Sequence, residues 1–393
     1  MPKYPLADPA ITPLPGSVYS GTRATSKTLY PLHIGDTWME PPPGARLEDQ
    51  LVADNPGMHR YAPPGGLPQL RHALAEHFGR RTGLEVGPEE IIIGAGATGA
   101  LAAAVLALVA PGEEVLILAP HWPLIAGMVR VAGGRPVQVP ILARGEGQSE
   151  EDLPTTADAV VAALEAHRGD STVAVYLSTP NNPTGRLLPK EWLEGIAAWA
   201  REQDLWVLAD EVYEDYVFST PEVPAEHVYT RPFAPERTVS IHSFSKAYGM
   251  AGNRVGWLCA PAQVLDPIIK VATHTYYCAP RGNQFAALHA LGPDGEAWIA
   301  HARQAYTELG YHAAQRLGVT VPQGSTFLFP DVGAALDSRG LPGFLQDLGE
   351  QGLKVAPGPA FGPYPTHVRI CFTCAEPETV RAGVEVLAGA LGR

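Results

Sequence analysis

Four cysteines in 393 residues, Cys259, Cys278, Cys371 and Cys374, are too few to staple a chain of this length. Their scarcity fits a reducing, cytoplasmic setting. No apolar run is long enough to span a bilayer, and Met1 to Lys27 has no charged-then-apolar leader pattern, so no membrane association is expected. Basic residues are in deficit: 28 Lys and Arg against 41 Asp and Glu leave a net charge of −13, with no basic run, which disfavours nucleic acid as a partner. The 13 histidines show no H-x-x-x-H or H-E-x-x-H spacing. Cys371-Phe372-Thr373-Cys374 has no second pair, and an offset of three along a strand would point the two thiols to opposite faces, so no metal is expected.

What is present is an ordinary globular balance, 46% hydrophobic and 18% charged. The 39 prolines and 41 glycines are scattered and read as turns. Residues 1–48 are Pro-rich, an arm with a short strand near Tyr30 to Ile34. From 49 to 285, short apolar runs alternate with helical stretches. The runs are Glu90–Ile93, Val115–Leu118, Val173–Leu177, Trp206–Leu208, Thr238–Ile241 and Arg254–Cys259; the helical stretches include Gly99–Val109, Ala157–His167 and Lys190–Glu202. That alternation predicts an α/β fold, a mostly parallel sheet covered by helices. From 286 onward a long helix, Gly295–Leu317, precedes strand-like pieces at Val319–Val321, Thr326–Phe329 and His367–Phe372 and a last helix over Pro377–Leu391. We therefore expect a large domain over 49–285, and a smaller α+β domain formed by 286–393 with the arm 1–48.

The chemistry gathers around Lys246, in Ser243-Phe244-Ser245-Lys246-Ala247-Tyr248-Gly249-Met250-Ala251-Gly252-Asn253-Arg254-Val255-Gly256. An amine here suits a Schiff base with an aldehyde cofactor, with a hydroxyl and a guanidinium holding that cofactor's phosphate. Such a lysine must be deprotonated near neutral pH, which burial near cations favours. Gly249, Gly252 and Gly256 would allow close backbone approach. Asp210 follows an apolar run in Leu208-Ala209-Asp210-Glu211-Val212-Tyr213, at the carboxyl end where open α/β sheets place their sites. A carboxylate there can pair with a protonated pyridine nitrogen; taken alone, Asp210 also reads as a helix N-cap. Asn182 lies in the turn Pro180-Asn181-Asn182-Pro183-Thr184-Gly185, Trp122 follows a strand, and Arg369 is a charge embedded in the strand pattern Val368-Arg369-Ile370-Cys371. A core strand does not bury arginine without an anionic partner.

This ordered set resembles the class I/II aminotransferase family, fold-type I enzymes of the aspartate aminotransferase-like superfamily that use pyridoxal phosphate. The resemblance covers nearly the whole chain. It implies that Lys246 carries the cofactor, that Asp210 pairs with the ring nitrogen, and that Tyr213 and Asn182 contact the ring oxygen. It assigns Ala97, Thr98, Ser243 and Arg254 to the cofactor's phosphate, counts Gly96 and Ser245 among the cofactor-binding residues, and places Trp122 in stacking on the ring. Arg369, with Gly35 and Asn182, would face the substrate, Arg369 taking its carboxylate. Tyr61, in His59-Arg60-Tyr61-Ala62-Pro63, would reach the neighbouring subunit's phosphate, which implies a homodimer with shared sites. His33, His121 and His274 would line the pocket, as would Thr273 to Tyr277, with Arg281 near enough to meet an acid. Lys246, Asp210 and Tyr213 would be the catalytic set. The implied reaction moves an amino group from an L-amino acid, neutral or aromatic in side chain, to a 2-oxo acid.

Other readings stand beside this one. The same scaffold serves C–S lyases, cyclases, decarboxylases and oxidases acting on amino acids. Gly94-Ala95-Gly96-Ala97-Thr98-Gly99 also matches G-x-G-x-x-G, the fingerprint of a nicotinamide oxidoreductase. That site wants an acid about twenty residues on, at the end of the next strand. The strand ends instead in Ala119-Pro120-His121-Trp122. A non-catalytic regulator of the same fold would lack the lysine or carry a further DNA-binding module, and neither is seen.

Overall fold

The computed structural model describes residues 26, 28–145, 150–219 and 225–393. A seven-stranded sheet is built from β1 (Ile91–Ala95), β2 (Glu114–Ala119), β3 (Arg135–Pro140), β4 (Thr172–Ser178), β5 (Trp206–Asp210), β6 (Thr238–Ser243) and β7 (Val255–Cys259), in the order β1-β7-β6-β5-β4-β2-β3. Runs such as Val115-Leu116-Ile117-Leu118 are buried on both faces, as the central strands of a covered parallel sheet require. Alternation divides them between two layers. Ile92 and Ile117 pack with α2 (Gly96–Leu108) and α3 (Pro123–Val131), while Leu116, Leu118, Val175 and Val207 pack with α4 (Ala157–His167) and α5 (Lys190–Glu202). β7 alone runs antiparallel to its neighbours β1 and β6.

That one reversal matters for the site. The carboxyl ends of β1, β5 and β6 point to one edge of the sheet, and β7 starts at that same edge. Its register sets Val255 opposite Ala95, and Gly256 opposite both Gly94 and Ser243. The first turn of α2, Arg254 and the end of β6 are thereby brought together.

A second core gathers Leu32, Tyr216 and Phe218 with α9 (Pro293–Leu317), α10 (Gly340–Glu350) and α11 (Pro377–Ala390). It covers a three-stranded antiparallel sheet, β8 (Phe327–Leu328), β10 (Val368–Cys371) and β9 (Ala356–Pro357), with β10 central. The 25-residue α9 is about 37 Å long. It begins at Pro293, which needs no hydrogen-bond acceptor there, and ends at Gly318 in the left-handed conformation (φ 59°).

Several expected elements differ. Val319–Val321 is irregular, because the chain leaves α9 toward a single bridge from Gly324 to Val217. Tyr30–Ile34 forms no strand; only Tyr30 bridges, to Leu353. β3 was not expected: its Arg-Pro-Val-Gln-Val-Pro sequence tolerates two prolines because it is an edge strand paired only with β2. β10 ends at Cys371, so Cys374 lies beyond the strand, where its thiol donates to the Cys371 carbonyl (3.2 Å) and the Pro31 carbonyl (3.3 Å). The opposite-faces argument for the two thiols therefore fails, since both are not on one strand.

Candidate active site

One cavity of about 150 Å³ at the sheet's carboxyl edge is lined by Ala97, Thr98, Trp122, Asn182, Asp210, Tyr213, Ser243, Ser245, Lys246 and Arg254, with Leu101, Val212, Ile241 and Ala251 as its apolar wall. Ten of the residues singled out from the sequence thus share one site. They arrive from the ends of β1, β2, β4, β5 and β6 and from the start of β7, and none depends on a long loop.

Lys246 sits on the short helix α6 (Phe244–Ala247), which Ser243 caps by accepting the Ser245 N–H (3.1 Å). With its oxygen engaged as an acceptor, the Ser243 hydroxyl proton is left to donate elsewhere. The Lys246 amine donates to the Gly35 carbonyl (2.5 Å). Burial pushes its pKa below the usual lysine value; Asp36 opposes this, while Arg369 and Arg254 add to it. A neutral amine is what nucleophilic attack on an aldehyde requires.

Asp210 ends β5 and is 6% exposed. Its Oδ2 accepts from the buried Tyr176 hydroxyl (2.6 Å), and its Oδ1 receives a long bond from the Val212 N–H (3.4 Å). Burial pushes the carboxyl pKa up, and the Tyr176 bond opposes it. Its neighbours Glu211 and Glu214 face away, toward a buried group with His242, His227 and Thr230. Burial raises Glu211 to about 7. Tyr213 is buried against Phe327.

Opposite Lys246, helix α2 starts without a side-chain cap, so its first N–H groups carry partial positive charge and lack helical acceptors. Gly96 is left-handed (φ 72°), and a Cβ there would lie 3.0 Å from Arg254 Cζ. Arg254 donates to the Ala251 carbonyl (2.6 Å) and makes no ion pair among the described residues. A guanidinium beside an uncapped helix start is an anion site. Gly256 is equally tight: a Cβ would lie 2.6 Å from the Gly96 carbonyl carbon. Gly249 also approaches closely, with Met39 O 3.1 Å from a built Cβ, whereas Gly252 has nothing within 4 Å and its expected close approach is not found.

Arg369, on β10, is 1% exposed. It donates to Asn182 Oδ1 (3.2 Å) and to the His33 carbonyl (2.6 Å), and its guanidinium lies over the rings of Phe327 (4.2 Å) and Phe361 (4.9 Å). Gly35 packs against the same Phe327 ring. Three expectations are not met. Thr273 to Tyr277 do not line the cavity; they end α7 (Ala262–Thr275), where His274 is exposed and Tyr276 touches Gly99. Arg281 donates to the Tyr61 carbonyl (3.1 Å) instead of facing the cavity. His121 does not line the cavity either; its Nδ1 lies 2.9 Å from the Trp122 carbonyl, and burial lowers its pKa to about 4. Tyr61 is 79% exposed and packs edge-on to Tyr277, outside the cavity of its own chain. Sequence reasoning missed Tyr176, Phe327 and Phe361. All three read as plain core aromatics, and only the register of β4 on β5 and the packing around β10 give them a role.

The model for aminotransferase class I and II matches residues 28–387. The chain belongs to that family. It is a pyridoxal phosphate-dependent transferase of fold-type I. An aspartate/prephenate aminotransferase of Thermus thermophilus is 34% identical over 346 residues, covering 86% of this chain and 84% of the relative. An aromatic-amino-acid aminotransferase of Thermococcus litoralis is 32% identical over 315 residues, covering 78% and 77%. Among solved structures, the Thermus thermophilus aspartate aminotransferase with maleate superposes with a TM-score of 0.81 at 32% identity, covering 92% of this chain and 91% of that one. The aromatic aminotransferase from Pyrococcus horikoshii gives 0.83 at 30%, covering 94% and 96%. The nicotinamide reading of Gly94 to Gly99 falls with these findings. Among the described residues no helix is long and apolar enough to cross a membrane.

Proposed function

We propose that this aminotransferase takes its amino group from an L-amino acid with a neutral or aromatic side chain and passes it to a 2-oxo acid. The cavity fits the cofactor: a buried amine of lowered pKa, an uncapped helix start beside an arginine that makes no ion pair among the described residues, and a buried carboxylate stand around one space. Bound there, pyridoxal phosphate supplies an electron sink for negative charge developing at the substrate Cα. Lys246 would hold the cofactor's aldehyde carbon, and its neutral Nζ would be the base for the substrate Cα proton. Asp210 would pair with the ring nitrogen, with Oδ2 already accepting from Tyr176. Tyr213 and Asn182 would donate to the ring oxygen, and Trp122 would stack on the ring. Gly96, Ala97, Thr98, Ser243, Ser245 and Arg254 hold the phosphate, and Gly35 borders the substrate. Arg369 takes the substrate carboxylate. Its position is fixed beforehand by Asn182, the His33 carbonyl and two aromatic rings, so little ordering remains to be done on binding.

The side-chain preference rests on charge. Among the described residues, Lys246 and Arg254 are the cations that line the cavity; with Lys246 assigned to the cofactor, Arg254 to its phosphate and the nearby Arg369 to the substrate's α-carboxylate, none is assigned to a second carboxylate. Relatives with aromatic names support this, while those with aspartate names favour a dicarboxylic donor, so the test must include both. We further propose a cytoplasmic homodimer, with the exposed Tyr61 serving the partner's phosphate, and a division into 49–285 and 1–48 with 286–393. The deciding experiment adds phenylalanine, tyrosine, leucine and aspartate singly to the yellow holoprotein. Loss of the visible band with the first three, restored by a 2-oxo acid, is expected. Bleaching by aspartate alone would overturn the substrate class. Sedimentation at about twice 41.8 kDa checks the dimer.

A further inference from the structure

We infer that Tyr176 is a positioning residue for Asp210: its phenol selects the carboxylate oxygen left for the cofactor and keeps the shared proton on the ring nitrogen. The inference rests on the reading of Asp210 as the ring-nitrogen partner.

The sheet register creates the contact. β4 and β5 are parallel, with Tyr176 opposite Leu208 and Ser178 opposite Asp210, so Tyr176 and Asp210 lie on the same face of adjacent strands. Tyr176 is fully buried, and its hydroxyl donates to Asp210 Oδ2 at 2.6 Å. Burial, with the Asp210 charge, pushes the phenol pKa well above its usual value, so Tyr176 remains the donor throughout the working pH range. Among the described residues no other side chain is hydrogen-bonded to Asp210. His242 on β6 and Lys246 on α6 lie near the carboxylate and favour its ionised form, Tyr213 approaches from the same segment, and His242 Nδ1 lies 3.0 Å from Glu214 Oε1. Oδ2 is therefore occupied, and Oδ1, with one long bond from Val212, is the oxygen available to the cavity.

A proton between Asp210 and a ring nitrogen has two resting places. On the nitrogen it leaves a carboxylate and a strong electron sink; on the carboxyl it leaves a neutral pyridine and a weak one. A buried phenol donor stabilises the carboxylate and so favours the first arrangement. Its removal should slow Cα-proton transfer while leaving substrate recognition at Arg369 intact. Simple structural damage would not separate the two.

The test uses holoenzyme carrying pyridoxal phosphate labelled with 15N in the ring, comparing wild type, Tyr176→Phe and Asp210→Asn. In Tyr176→Phe the ring-nitrogen resonance should move from the pyridinium toward the neutral position. The kcat should fall about tenfold to a hundredfold, with KM for the amino acid within about threefold. An unmoved resonance with unchanged kcat, or a loss confined to KM, overturns the inference. If Asp210→Asn shifts the resonance and Tyr176→Phe does not, only the Tyr176 inference fails. If neither does, the role of Asp210 fails with it. Should Tyr176→Phe not fold, 3-fluorotyrosine at 176 keeps the shape and strengthens the donor. The ring-nitrogen resonance should then lie further toward the pyridinium position than in wild type, and an identical resonance overturns the inference.

Discussion

Gly256→Ala isolates the junction of β7 with the start of α2. The added methyl carbon would sit 2.6 Å from the Gly96 carbonyl carbon and 2.8 Å from Ala97 Cα, and nearer still to the Ala97 nitrogen. Carbon contacts settle near ~3.5–4.0 Å, so backbone must move by about 1 Å. β7 cannot supply that movement, because it is paired to β1 on one edge and β6 on the other. The first turn of α2 must yield, and with it the N–H groups of Ala97 and Thr98. Overpacking of this kind costs about 1–3 kcal/mol of stability. Losing one or two charge-assisted hydrogen bonds to a phosphate costs a further ~2–4 kcal/mol of cofactor affinity, about thirtyfold to a thousandfold. The assay titrates apoprotein with pyridoxal phosphate, beside a melting curve of the apoprotein. Gly252→Ala is the control, since nothing lies within 4 Å of its Cβ position. Affinity of Gly256→Ala within about threefold of wild type, or equal damage from Gly252→Ala, would refute the phosphate cradle.

Arg369→Lys keeps the charge but loses the planar fork, so kcat/KM for amino acids should fall about a hundredfold to a thousandfold; a drop under threefold counts against Arg369 as the carboxylate site. Lys246→Ala should abolish the visible lysine-bound band and lower turnover by at least ~10²–10⁴-fold, checked by absorbance and single-turnover rates. Glu211, raised by burial from an ordinary 4.5 to about 7, keeps its proton when folded at pH values where the unfolded chain has lost it. The stability from that extra proton is full below pH 4.5 and is lost as pH rises through 7. Glu211→Gln should therefore gain on wild type across that window, by at most about 3 kcal/mol, then run parallel above it. Denaturant melts at several pH values read this directly, and a difference that does not vary with pH contradicts the assignment.

The strands buried on both faces were legible because a continuous apolar run has few alternatives, and Ala157–His167 and Lys190–Glu202 were readable to the residue. β3 was not, because edge position licenses the prolines that sequence reading takes as breakers. Lys246, Asp210, Asn182 and Arg254 announced themselves through local spacing, since each sits beside a strand end. The surroundings that tune them did not. Tyr176 is one aromatic in an apolar strand, and its bond to Asp210 exists only through the register of β4 on β5. Phe327 and Phe361 lie 42 and 8 residues from Arg369, and their rings meet it only after the second core assembles. The misplacement of Thr273 to Tyr277 came from family order alone, with no spacing to check it.

The bond from the Lys246 amine to the Gly35 carbonyl joins positions 211 apart in the chain. It works as a latch between the second core's entering segment and the sheet. Whatever engages the amine deprives that segment of one anchor. Whatever fastens the segment, such as the Thr373 hydroxyl on the Asp36 carbonyl, makes the amine harder to withdraw. The two effects are equal in free energy, because linkage is reciprocal. The reactivity of Lys246 is thus partly written in residues 30–38, and substitutions there should register at the amine without touching it.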